Sequence, residues 1–169
     1  MIIIVVSLAV LLVLSLLIHV LLIRTGTQIG EKGRRNVLLQ NLFCIVESVI
    51  IMILSLMWAR NSASNTIFYA LGAVAIGLVL LISGIIGLRG ILRESPGDLV
   101  TETLLDIRVE PAGYHNQDRK LEGMVNGKNS WFMLRGGDKA LAEQIKKSGF
   151  SQVTVVYHSS NRRIESIQL

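Results

Sequence analysis

A single cysteine, Cys44, excludes an intramolecular disulfide and any cysteine-based metal site. It lies inside an apolar run, so it leaves the redox compartment open. Histidine is nearly as scarce: His19, His115 and His158 have no cysteine and no second histidine at ligand spacing, and neither a metal nor a cofactor is expected. The chain also lacks a glycine-rich phosphate loop after a strand, a GxSxG turn and a pair of acids at glycosidase spacing. A non-enzymatic protein is expected on that ground. No lysine or arginine precedes the first apolar run, whereas a cleaved secretory signal carries a basic head and a shorter core, so this run reads as an uncleaved span.

What the chain has in abundance is apolar length. It is 51% hydrophobic with a mean hydropathy of +0.54, too apolar for an ordinary soluble domain, yet 17% of its residues are charged. The two properties are segregated along the chain. Of the net charge of +5, all but one unit falls before Ser95, in short connectors beside apolar runs. Membrane topology explains such an excess better than nucleic-acid binding does.

Three runs are long enough to cross the ~30 Å hydrocarbon layer at ~1.5 Å per residue: about 2–23, 36–58 and 67–88. The first connector, RTGTQIGEKGRRN, reads as a loop from its glycines and threonines and carries Arg24, Lys32, Arg34 and Arg35 against Glu31. The second has Arg60 alone, and Arg89 and Arg93 follow the third run. By the positive-inside rule the N-terminus is outside and the tail cytoplasmic, in a plasma (inner) membrane, with Trp58 and Tyr69 at the outer interface. Residues 1–94 then form a three-helix transmembrane domain and 97–169 a cytoplasmic one.

The tail changes character at Ser95-Pro96-Gly97. From Thr101 the residues alternate, with Thr103, Leu105, Ile107 and Val109 on one face, Glu102, Asp106, Arg108 and Glu110 on the other, and Leu104 out of phase. After a polar loop, Asn126-Gly127 between two strand-like runs is a type I′ hairpin signal. Asp138 is placed to cap a helix over DKALAEQIKKS, ended by Gly149. SQVTVVYHS turns Val153, Val155 and Tyr157 inward, and Ser159-Ser160-Asn161 leads into RRIESIQL. Three strands, a helix and two strands is the order of a five-stranded OB-like barrel.

A membrane segment followed by a small C-terminal OB-like barrel resembles the NfeD-like membrane proteins. The likeness is mainly one of layout; in residues it rests on Trp131 after VNGKNS and on the closing IKKSGFSQVTVVYHSSNRRIESIQL, while the helix 138–148 is longer than that family implies. The resemblance implies a flotillin-like scaffold protein as partner, and carries no functional residue across.

Glu47, near the middle of the second run, is the sharpest candidate, because an acid at mid-span costs roughly 2.5–3.5 kcal/mol and must face protein, face water or be neutral. Gln40, Asn41, Cys44, Ser48 and Ser55 form a polar stripe with it. A proton or cation relay competes with a neutral acid bonded between helices, and the second is favoured because no basic partner or second acid lies at that depth. His19 is set roughly 10 Å from Glu47 along the membrane normal, level with Gln40 and Asn41, where it packs or bonds to that pair. Ala70, Ala73, Gly77, Gly84 and Gly87 line one face of the third run and suit close helix packing, with Gly77 at the depth of Glu47. Of Trp131, Phe132, Tyr114 and Tyr157, most read as core rather than as a stacking platform for nucleic acid, since Trp131 and Phe132 fall on opposite faces of their strand and Tyr157 shares the face of Val153 and Val155.

The leading expectation is thus a scaffold or modulator of an unidentified membrane partner, using exposed strand edges and the 111–120 loop. The alternatives are a small transport or channel subunit using Glu47, within a homo-oligomer, and nucleotide or nucleic-acid binding by the barrel.

Overall fold

The computed structural model describes residues 2–61, 67–112 and 118–169. Tyr114 and His115, in the loop read as a contact surface, lie outside the described residues. Three helices, α1 (Ile2–Thr25), α2 (Gly30–Asn61) and α3 (Ile67–Leu92), are each long and apolar enough to cross a membrane. They are followed by β1 (Leu99–Ala112), β2 (Asp118–Val125), β3 (Lys128–Leu134), α4 (Lys139–Ser148), β4 (Gln152–His158) and β5 (Ile164–Gln168). The chain divides into two compact units, one drawn from residues 1–20 and 38–89, the other from 21–37 and 90–169.

The helical unit is inside-out by the standards of a soluble bundle. Leu, Ile and Val side chains along α1 and α3 are exposed, while the buried positions include Ser15, Glu47, Ser48 and Ser55. Contacts run antiparallel on both sides of α2. Residues 15 and 19 of α1 meet residue 47, and Cys44 Sγ reaches the Leu80 carbonyl of α3 at 3.3 Å.

The helices begin and end elsewhere than the hydropathy pattern places them. α2 starts at Gly30, six residues before Asn36, so half of the expected connector is helical. Gly33 does not break it; a Cβ there would stand 2.2 Å from the Gln28 backbone, so this glycine allows a close approach.

The second unit is a five-stranded antiparallel sheet in the order β3-β2-β1-β4-β5 with α4 packed on it. Leu104, Leu121, Phe132, Leu134, Ala142, Ile145, Val153, Val155 and Ile164 are almost wholly buried in its core. The sheet is open, with β3 and β5 as its edges. One side chain reaches across from the β4–β5 turn. Arg162 Nη2 donates to the Ser130 hydroxyl and the Trp131 carbonyl, both at 3.2 Å, and its guanidinium lies over the Phe132 ring at 4.9 Å.

The long strand β1 carries a correction. Leu104 is fully buried and Leu105 is 48% exposed, the reverse of the expected faces. The cause is a bulge between Leu105 and Arg108, with Asp106 at φ 52°, which returns Ile107 and Val109 to the core side. Asn126 (φ 51°) and Gly127 (φ 76°) form the tight hairpin that their sequence requires.

Candidate functional sites

Each unit buries polar side chains. In the helical unit, Glu47 is 5% exposed and both of its oxygens are engaged. Ser15 Oγ donates to Oε1 at 2.9 Å, and His19 Nδ1 lies 2.9 Å from Oε2, its ring stacked on Phe43. This overturns the separation expected between His19 and Glu47. Side chains lean toward the N-terminus of their own helix, so on antiparallel α1 and α2 these two lean toward each other and close the gap in Cα level. Ser15 was not anticipated, although it stands four residues from His19 as a second polar group on the same face.

The rest of the stripe does other work. Ser48 donates to its own helix at the Cys44 carbonyl, and Ser55 does the same at Ile51 (2.7 Å). Asn41 sits against α3, where Gly84 and Gly87 leave room for it; a Cβ on Gly87 would lie 2.1 Å from Asn41 Oδ1. Gly77 faces Met52 and the Ser48 carbonyl rather than Glu47, Ala70 is buried, and Ala73 is half-buried. Gln40 is half-buried on α2.

In the second unit, Glu94 is the hub, its side chain 2% exposed. Arg163 grips it with a fork, Nε to Oε1 at 2.8 Å and Nη2 to Oε2 at 2.9 Å, and Asn161 Nδ2 adds a bond to Oε1 at 2.7 Å. The same guanidinium donates to Glu165 (2.9 Å) and to the Gly30 carbonyl at the start of α2 (2.8 Å). Arg34 Nε approaches Glu94 at 3.5 Å, and His158 Nε2 lies 3.5 Å from Glu165. With Glu31, Ser95, Pro96 and Leu99 these groups line a cleft of about 210 Å³. Burial pushes the Glu94 carboxyl up, but the bonds from Arg163 and Asn161 and the charges of Arg163 and His158 outweigh it, leaving Glu94 below its ordinary value. Burial lowers Arg163 and is likewise outweighed by Glu94 and Glu165, so its value is raised.

A second tie joins the α1–α2 connector to the sheet. Asp138, expected to cap α4, makes no side-chain cap bond. Its carboxylate accepts instead from the Thr27 hydroxyl, Gln28 N (3.0 Å) and Arg135 N (3.3 Å), and Ile29 packs on the core. Elsewhere, Tyr157 donates to Glu102 at 2.6 Å, and burial together with that carboxylate raises the phenol.

Neither Glu94 nor Asp138 announces its role in the sequence. Glu94 reads as a charge beside a helix end, and its partner Arg163 is 69 residues away. No family model, curated protein or solved structure matches this chain.

Proposed function

We propose that this chain is a non-enzymatic integral membrane protein that presents a cytoplasmic OB-like domain as a scaffold or modulator of a membrane partner. The observation that carries this reading is an apolar strip on the outer face of the sheet. Leu105 pairs in register with Met124, Trp131 is diagonal to Met124 on β3, and all three are exposed. Lys120, 5.7 Å from the Trp131 ring centre, and Glu122 border it. Beside the strip β3 is an edge strand, its Trp131 carbonyl already taken by Arg162.

Strand order and the position of α4 support the OB-like comparison, and charge distribution supports a cytoplasmic tail. The NfeD-like layout makes a flotillin-type scaffold protein the partner class. Photo-crosslinking residues placed at Trp131 or Met124, with Lys146 on α4 as control, test it in cells. One discrete membrane-protein adduct from the strip and none from Lys146 supports the reading; equal yields from both positions contradict it.

A second reading rests on Glu47, whose contacts with Ser15 and His19 supply the basic partner a proton site needs. In it the chain is a subunit of a proton or cation pathway. Glu47→Gln in reconstituted vesicles then abolishes flux; unchanged flux, or none in the wild type, removes it.

A further inference from the structure

In the second unit, the cations near the helix ends differ from Arg163 and Arg34 in what they bind. Arg34 and Arg163 are drawn onto Glu94 and Glu165. Arg24 in the last turn of α1, Lys32 and Arg35 at the start of α2, and Arg93 just past α3 are exposed and make no ion pair among the described residues. Only Glu31 stands among them as an exposed acid, because Glu94 is consumed by Arg163.

All four sit where three apolar helices of spanning length give way to polar chain. At that level of a bilayer the surrounding anions are phosphodiesters. A guanidinium presents a planar fork that fits phosphate oxygens, and a lysine adds a mobile point charge. None of the four lines the Glu94 cleft and all four are exposed, so they offer charge on the surface rather than a pocket for a free ion.

We infer that Arg24, Lys32, Arg35 and Arg93 form a binding girdle for the phosphate headgroups of anionic phospholipids. The inference rests on the membrane reading proposed above. Clearing the girdle of internal ion pairs, by collecting Arg34 and Arg163 on Glu94, leaves these four free to recruit such lipids around the helix ends.

The test uses the full chain in nanodiscs of phosphatidylcholine mixed equally with phosphatidylglycerol, and native mass spectrometry of the lipids that stay with the released protein. Phosphatidylglycerol is expected to be retained over phosphatidylcholine, each neutralisation among R24Q, K32Q, R35Q and R93Q lowering the preference by about fivefold. Equal retention of the two lipids, or a fourfold variant with undiminished preference, overturns the girdle while the membrane reading stands. Displacement of phosphatidylglycerol by added inorganic phosphate overturns it in favour of a free-phosphate site. Failure of the wild-type chain to enter nanodiscs overturns the membrane reading and the girdle with it.

Discussion

His19 Nδ1 and Glu47 Oε2 lie 2.9 Å apart, joining α1 to α2 through the only histidine and the only acid in the first two apolar runs. The contact gives the acid a protein partner, which lessens the cost of placing it at mid-span. In a double-mutant cycle on the detergent-solubilised protein, His19→Ala and Glu47→Gln are each expected to lower the unfolding temperature, with a coupling of about 0.6–1.7 kcal/mol. Strict additivity of the two changes would show that the pair does not hold these helices together.

Asp138 accepts from the Thr27 hydroxyl and from two backbone amides while only 6% exposed. Asp138→Ala leaves those donors unpaired and is expected to destabilise the unit by about 2–3 kcal/mol, with faster hydrogen exchange concentrated at residues 26–29 and 135–138. Exchange that rises evenly over the whole sheet instead would mean that the carboxylate is not the specific tie to the connector.

Acid should weaken the unit through Glu94. Its folded carboxyl titrates below the ordinary 4.5, so its contribution is complete above that value and is lost as pH falls through the folded one. With Trp58→Phe leaving Trp131 as reporter, the wild type is expected to lose stability steeply below pH 4.5, and Arg163→Gln to be weaker at neutral pH but flatter in that window. Parallel curves for the two proteins would mean that Arg163 does not set the Glu94 value.

With the bulge at Asp106, Leu104 rather than Leu105 is the leucine on the core face. Leu104→Ala should cost about 2–5 kcal/mol, and Leu105→Ala, at an exposed position, within about 0.5 kcal/mol. Reversed losses, with Leu105→Ala the costlier change, would place β1 in the unbroken alternation that its sequence suggests. The out-of-phase Leu104 was the visible mark of this bulge.

Local rules made much of the fold legible. Asn126-Gly127 needs positive φ at both positions, Gly149 closes α4 at φ 61°, and spans of apolar residues read directly as helices long enough for a membrane. What escaped depends on distance in the chain. Depth counted on Cα atoms missed the converging lean of His19 and Glu47. The glycines and charges of residues 24–36 resemble a loop, yet Asp138 and Ile29 bind that segment to the sheet, and α2 starts within it. Strand order was readable from the succession of elements, whereas that β3 and β5 stay as open edges, with Arg162 reaching to Trp131, was not.

Single cysteines in a Cys44→Ser background test most directly whether the sheet is cytoplasmic. K128C, at the exposed β2–β3 turn, should resist an impermeant thiol reagent applied to intact cells and react after permeabilisation, while R60C, at the opposite end of α2 from Gly30, should react from outside. Labelling of K128C but not R60C in intact cells would contradict the proposed orientation and the scaffold role that depends on it.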